Sequence, residues 1–569
     1  MDDTHSRAMA QALHALIPAA GAPRSRFGGL GIAPALTVLV FSLPILAGLL
    51  GTLLPAFGYL PALGGVHIGT APWRTLVDAP GFATALLLAV AVVAFVHHRP
   101  WSRRLGEAMA PMLAMPHSAL AIGLAFLIAP SGWLVRMVSP GFSGWDMPPD
   151  VSTVGHPSGW PLIMALLLKE VPYLVLMLLA ALNQVQARPQ VAMARSLGYG
   201  PVQAWFDIVL PQVYGQIRLP IYAVLAFSLS VVDVGMILGP GNPPTLAVLA
   251  VRWFSDPDTR WVFPASAAAT LLLGAVAASV LSWHLGERLM GRALRARIVR
   301  GVRSQWSHNL SGAATAFGAA LLLLAVLSMI GVALWSFATQ WRYPEALPLS
   351  WTMANWQRQS PSLALPAWTT LVVGAASTAI ALVLVLACLE HETQARQRTS
   401  RSLWLLYLPL LVPQVAFLFG LQVLLVRISA DGTLVAVIAA HLVFVLPYLF
   451  LSLADPWRSF DQRYARTATS LGASRWRVFW RIKLPILLKP VLMASAVAFA
   501  VSVGQYLPTL FAGGGRIATL TTEAVTLSAG ADRRVIGTWA LLQAAFPLLV
   551  FICAAWFPRM LYRHRKGLA

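Results

Sequence analysis

Lys169, Glu170 and Asp233 stand inside long apolar stretches of the chain. A charge at such a position is costly and is kept where it faces a protein interior or an aqueous cavity. Lys169 and Glu170 are too close in sequence to share a helix face, so each needs its own partner across a bundle or its own access to water. Asp233 lies about one turn before Gly239-Pro240-Gly241, where a helix must break. Gln505 and Tyr506 stand in the same way before Pro508. A carboxylate, an amide and a phenol gathered in one place can attract a cationic, aromatic or polar small molecule. The structural alternative is an ion pair between Asp233 and Arg252 or Arg260 of the adjoining loop. Covalent chemistry is not in view. The chain has only four lysines and no Gly-x-x-x-x-Gly-Lys-Ser/Thr phosphate loop, and it lacks His-Glu-x-x-His and Gly-x-Ser-x-Gly. His97 and His98 read as solvated loop residues. Cys388 and Cys553 lie in apolar runs, which argues against a disulfide framework or a metal cluster.

The elements that position these side chains must be membrane helices. The 569 residues are 58% hydrophobic and 11% charged, with mean hydropathy +0.71, a balance found in chains solvated by lipid. Twelve apolar stretches are long enough to cross a core of about 30 Å, and backbone pairing in lipid makes them helices. The first six are expected over 32–54, 81–97, 110–130, 160–182, 217–239 and 262–284. The second six are expected over 313–336, 366–388, 403–426, 433–453, 487–511 and 537–557. With the amino terminus inside, 30 of the 41 Lys and Arg fall in inward loops and tails, 10 in outward loops and one in a span. That asymmetry predicts both termini in the cytoplasm. The net charge of +21 then reads as a basic surface under anionic lipid, without a nucleic-acid partner. Residues 1–30 read as a cytoplasmic tail without a cleavable signal.

The chain repeats itself at an offset of about 274 residues, and repeats of this kind set the architecture. Ala194-Arg195-Ser196-Leu197-Gly198 aligns with Ala468-Thr469-Ser470-Leu471-Gly472. Ile208-Val209-Leu210-Pro211 follows the first copy as Ile482-Lys483-Leu484-Pro485 follows the second. Pro172-Tyr173 upstream matches Pro447-Tyr448, and Thr245-Leu246 downstream matches Thr519-Leu520. Each half has an even number of spans, so the repeat is parallel, with a pseudo-twofold axis along the membrane normal. The expected halves are 31–300 and 301–569. Within each loop, small residues allow close approach to a partner, and Gly198 and Gly472 can turn the chain without a Cβ penalty. Pro211 and Pro485 suit a helix start. Trp205 with Ile208, and Phe479 with Ile482, form an anchoring face at helical spacing.

A small residue, three positions, Gly, nine positions and Ile-x-Leu-Pro, in a loop between the fourth and fifth span of each half, resembles the "EAA" loop of ABC importer permeases. The resemblance covers residues 32 to 558 and is closest to fused double permeases of the iron(III), thiamine and polyamine importer group. Gln505-Tyr506-Leu507-Pro508-Thr509-Leu510 and Ala512-Gly513-Gly514-Gly515-Arg516 resemble a thiamine-like branch of it. The implied fold is all-α and integral to the membrane: about twelve transmembrane helices as two parallel six-helix repeats of the type I importer kind. The implied assembly is one such chain in the bacterial inner membrane, two copies of a cytoplasmic ATPase and one periplasmic solute-binding protein. No cofactor is expected in this chain, and ATP and Mg would be bound by the ATPase. Ala194, Ser196, Leu197, Gly198, Tyr199 and Gly200 would dock on one ATPase, and Ala468, Ser470, Leu471, Gly472, Ala473 and Ser474 on the other, with Ser196 to Gly200 and Ser470 to Ser474 as the coupling helices. Because the span after this loop lines the route in the family, Asp233, Gln505 and Tyr506 are the candidate pathway residues. The sequence departs from the family where the motif's first Glu would stand, carrying Ala192 and Arg466. That places the bracing contact of the loop in question. The rival architecture is a twelve-helix secondary transporter, which needs no matched loops.

Overall fold

The computed structural model describes residues 32–57, 59–60, 66–67, 112–182, 184–301, 309–395, 408–530 and 532–563. In the first half the helices are α1 (Ile32–Leu53), α2 (His117–Ile128), α3 (Trp133–Val138), α4 (Trp160–Leu182), α5 (Ala187–Ser196), α6 (Pro201–Ala204), α7 (Leu210–Ser230), α8 (Asp233–Leu238), α9 (Leu246–Phe254) and α10 (Val262–Val299). They continue with α11 (Asn309–Phe337), α12 (Ala354–Ala395), α13 (Val415–Arg427), α14 (Leu434–Arg458), α15 (Gln462–Ser470), α16 (Arg475–Val478), α17 (Leu484–Ile486), α18 (Leu488–Val503), α19 (Leu507–Gly513), α20 (Leu520–Leu527) and α21 (Arg533–Leu561). The expected all-α fold holds, with one small addition. After α1 a two-residue strand pair, β1 (Tyr59–Leu60) and β2 (Val66–His67), runs antiparallel.

Among the described residues, eight helices are long and apolar enough to cross a membrane, or nine if the bent pair Arg475–Ile486 and Leu488–Val503 is one span. The shorter apolar helices Ser42–Phe57 and Val415–Arg427 fall where two more spans are expected. The span expected over 81–97, with His97 and His98, lies outside the described residues. Helices with apolar side chains all round suit lipid. Accordingly Leu43, Leu46 and Leu50 on α1 and Leu549, Ile552 and Trp556 on α21 are exposed.

The two halves interlock by exchanging their first spans. α1 packs along α13 of the other half, and α11 packs along α2. Both contacts use glycine to bring backbones together. A Cβ on Gly48 would lie 2.2 Å from the Phe417 carbonyl oxygen, and one on Gly123 would lie 2.7 Å from that of Ser328. The Gly420 N–H donates to Thr52 Oγ1 at 2.7 Å across the first contact. Close helix approach through small residues is the usual solution in lipid, where apolar burial alone does not drive helices together. One buried apolar core, including Ile45, Leu124, Phe417 and Phe444, therefore runs through both halves.

Candidate functional site

The first repeated loop is a pair of short helices around a turn. α5 ends at Ser196, the Gly198 N–H donates to Arg195 O, and the Tyr199 N–H reaches back to Ala194 O at 3.1 Å. Gly198 has φ +87°, the left-handed conformation that ends many helices and that glycine adopts freely. α6 follows from Pro201, and the Gly200 carbonyl accepts from the Ala204 N–H. Ala194 is buried under the turn, whereas Ser196, Leu197 and Gly198 are exposed. The second loop repeats this geometry. α15 ends at Ser470, Gly472 has φ +82°, and the Ala473 N–H donates to Ala468 O at 3.0 Å. Ser474 Oγ accepts from the Arg477 N–H and caps α16. Segments 196–200 and 470–474 are thus turns between helices. The expectation of coupling helices there is corrected: two positive-φ glycines interrupt the helical path. A Cβ on Gly472 would meet nothing within 4 Å, so backbone conformation, with no crowding inside this chain, is what calls for glycine.

After the turns both copies pass through a π-helical stretch at matched positions, Trp205–Val209 and Phe479–Lys483, before Pro211 and Pro485 enter the first turn of the next helix. π turns are rare and concentrate at functional places. Of the expected anchors, Trp205 packs on the cluster around Val209 and Val213, without Ile208, and Phe479 with Ile482 packs on the cluster around Trp457 and Leu453. The brace left in question by Ala192 and Arg466 is supplied by ion pairs. In the first copy, buried Asp207 accepts from Arg297 on α10 at 2.9 Å and from Gln203 at 3.0 Å. In the second, buried Lys483 donates to Glu390 on α12 at 2.6 Å and lies 4.2 Å from the centre of the Trp457 ring. Pairing is what makes such buried charges tolerable.

The fifth span of each half is broken at matched positions. In the first half α7 ends at Ser230, Val231 is extended, and α8 restarts at Asp233. In the second, α18 ends at Val503 and α19 restarts at Leu507. The expected break at Gly239-Pro240-Gly241 is present, since α8 ends at Leu238 with Gly239 as its cap, and a further break precedes Asp233. Asp233 opens the new helix, where a carboxylate complements the helix dipole. Gln505 and Tyr506 lie within the second break, so by register Asp233 corresponds to Leu507. All three are buried, at 9%, 9% and 7% exposure.

The alternative of an Asp233 pair with Arg252 or Arg260 is set aside. Arg260 pairs with Asp258 at 3.1 Å and Arg252 donates to the Gly241 carbonyl. Asp233 lies instead within electrostatic reach of His117 and Tyr506. His117 Nε2 is 3.3 Å from Glu170 Oε1, and Tyr448 lies within reach of Glu170. Side chains from both halves thus form one polar cluster. Lys169 stands apart, donating to the carbonyls of Met112, Leu113 and Met115, a structural use. Sequence reasoning did not single out His117, which begins an apolar helix without any motif. Nor did it find His441, whose ring nitrogens bond Ser502 Oγ and Thr509 Oγ1, both at 2.8 Å, on either side of the second break.

A helical membrane chain with two interlocked halves, each bearing the same loop and the same broken span, is a transport component. The comparisons with known proteins agree. Residues 394–565 match the family described as binding-protein-dependent transport system inner membrane component. The chain is 35% identical over 484 residues to the inner membrane ABC transporter permease protein YnjC of Escherichia coli (strain K12), which covers 85% of this chain and 87% of that protein. It is 33% identical over 182 residues to the molybdenum transport system permease protein ModB of Mycobacterium tuberculosis, covering 30% of this chain and 67% of that one. It is also 24% identical over 194 residues to the putrescine transport system permease protein PotI of Escherichia coli (strain K12), covering 33% and 68%. The chain belongs to the ABC transporter permease family. It is a multi-pass membrane permease component of an ABC importer, a class that works with an ATPase and a solute-binding protein. The secondary-transporter alternative is thereby displaced.

Proposed function

We propose that this single chain forms the whole membrane part of its importer, with 31–300 and 301–569 as the two halves after the tail 1–30. Two copies of a cytoplasmic ATPase dock on the two repeated loops, and one periplasmic binding protein delivers solute at the opposite end. ATP and Mg are held by the ATPase, and this chain hydrolyses nothing itself. It lies in the bacterial inner membrane with both termini in the cytoplasm, a placement the Lys and Arg distribution supports. The observation that carries this reading is the matched backbone of the loops: a left-handed glycine and a π turn recur at one offset in both halves. The pathway is taken to run past Asp233, Gln505 and Tyr506, a reading supported by their burial beside the matched breaks of the two fifth spans, and their chemistry suits a cationic or polar solute. Co-purification tests the assembly. The chain is expected to retain its ATPase in a two-to-one ratio, and a one-to-one complex would overturn the reading.

A further inference from the structure

At the end of the spans opposite the repeated loops, the two halves form an open cleft of about 500 Å³ lined by Ser131, Arg136, Trp335, Asp532, Arg533 and Arg534. Its charges do not balance. Arg534 takes both carboxylate oxygens of Asp532. Arg136 has the Glu345 carboxylate within electrostatic reach. Arg533 has no acidic partner among the described residues. It donates only to Ser131, at 2.9 Å to the carbonyl and 2.8 Å to the hydroxyl. Arg136 Nε donates to that same Ser131 carbonyl at 2.9 Å, and its Nη groups are committed to the carbonyls of Trp341, Arg342 and Glu345. Both guanidinium groups also lie against the Trp335 ring, 5.6 and 5.4 Å from its centre. Two like charges are therefore drawn onto one oxygen and one ring, with a single uncompensated positive charge between them. Trp335 Nε1 is in addition a buried donor without an acceptor.

The repeat shows that this excess is not demanded by the fold. Asp258-Thr259-Arg260 stands before α10 as Asp532-Arg533-Arg534 stands before α21, at the same offset of 274. Each Asp caps the coming helical turn and pairs with the Arg two residues on. The middle position is threonine in one half and the cleft arginine in the other.

We infer that this cleft is a binding site for a singly charged phosphate oxyanion, held by Arg533, with Arg136 lending positive charge from beneath and Trp335 Nε1 as a nearby donor without an acceptor. Guanidinium groups offer planar pairs of donors that match phosphate oxygens. One uncompensated cation matches the single charge of a phosphodiester. The ends of α2 and α11 set the height of the site; Trp335 lines it, and Trp341 and Tyr343 lie against Arg136 beside it, as aromatic side chains do at headgroup level. The oxyanion has two possible sources, a lipid headgroup or a soluble phosphate, and the experiment separates them.

The test uses the intact chain and Arg533→Thr, which installs the residue found at the matched position of the first half. Arg533→Lys serves as the charge-retaining control. Retention of phosphatidylglycerol is followed by native mass spectrometry, and the thermal midpoint is followed with added inorganic phosphate. A loss of retained phosphatidylglycerol in Arg533→Thr assigns the site to the headgroup. A phosphate-induced rise in midpoint seen only in the wild type assigns it to soluble phosphate. In either arm binding should weaken about tenfold or more, the effect of losing a charged hydrogen bond, and Arg533→Lys should recover part of it. Equal behaviour of wild type and Arg533→Thr in both arms overturns the proposal. So does an effect confined to binding-protein affinity, which would make the cleft a protein-docking contact.

Discussion

In the first half the repeated loop is tied down by an acid on the loop, Asp207, gripped by Arg297 on α10 and by Gln203 of the loop itself. In the second half the polarity is reversed: the loop supplies the cation, Lys483, and α12 supplies Glu390. The backbones nevertheless agree through the glycine turn, the short helix and the π stretch. The geometry of the loop, then, is what the two halves have in common, and the means of fixing it is free to vary. The difference extends along the loop, where buried positions of the first copy correspond to exposed arginines in the second. Pro201, Gln203, Asp207 and Val209 of the first loop are replaced by Arg475, Arg477, Arg481 and Lys483 at the same offset. Under the proposed assembly, two copies of one ATPase meet a common shape carrying two different charge patterns.

The largest effect is expected where the two loops are identical. Replacing both Gly198 and Gly472 with Val places β-branched residues at φ +87° and +82°, a conformation that costs L residues about 1–2 kcal/mol each and β-branched ones more. Because a Cβ on Gly472 meets no atom of this chain, the protein should still insert while the turn presented to the ATPase is lost. Uptake should be abolished with normal membrane levels of the chain. Normal uptake by the double variant would break the equivalence of the two turns and the docking assignment with it.

The braces give the next effect, and here the halves should differ. Glu390→Gln leaves Lys483 ionised and buried without its acid, a change worth about 3–5 kcal/mol in measured buried pairs. Arg297→Gln leaves Asp207 still bonded to Gln203, and its partner Arg297 is itself about one-third exposed. That loss should be nearer 1 kcal/mol. Thermal unfolding of the two purified variants should rank them in that order. A reversed order would mean that the first loop, not the second, depends on its ion pair.

The extent to which these features could be read in advance follows from their physical origin. The twelve apolar stretches and the offset of 274 are carried by residue types, so the helices, the loops and their glycines were legible. The π stretches were not, because a π turn is a backbone register with no side-chain signature. The break at Gly239 was legible, but the earlier one before Asp233 was not. Gly239-Pro240-Gly241 is an obvious breaker, whereas Val231 and Val232, which make the earlier break, are neither Gly nor Pro. The exchange of first spans between halves was also hidden, since Gly48 and Gly123 show their role only when Phe417 and Ser328 are seen against them. His117 could have been found by asking which titratable residue lies within reach of Glu170, but that needs the fold.

At the broken spans the matched positions differ again, Asp233 in one half and Leu507 in the other, with Tyr506 lying near the carboxylate. Asp233→Asn keeps size and hydrogen bonding and removes the charge. Asp233 makes no ion pair within hydrogen-bond distance among the described residues, His117 lying only within electrostatic reach, so stability should hold and ATPase assembly should be intact. Uptake should fall by about tenfold, the worth of one charge-assisted contact to solute. Lower expression with unchanged uptake per molecule would make Asp233 structural, and unchanged values of both would remove it from the pathway.

The smallest effect is the most specific to the loop comparison. Arg475 and Arg477 are exposed on the second loop, beside exposed Trp476, Trp480 and Leu471. The first loop presents Met193 and Leu197 without a matching basic run. Exposed charge pairs contribute about 0.2–1 kcal/mol each, so reversing both arginines to Glu should weaken ATPase binding by only several-fold at low salt. The sign of the salt dependence carries the information. The Debye length falls from about 10 Å at 0.1 M salt to about 3 Å at 1 M. If Arg475 and Arg477 face acids on the ATPase, wild-type affinity should fall as salt rises. The reversed variant instead meets repulsion, which salt screens, so the gap between the two should close. The remaining ion pairs of the assembly weaken in both proteins and cancel in that difference. A gap that stays constant from low to high salt would show that Trp476, Trp480 and Leu471 hold the ATPase by packing. The two loops would then differ in their braces but not in how they dock.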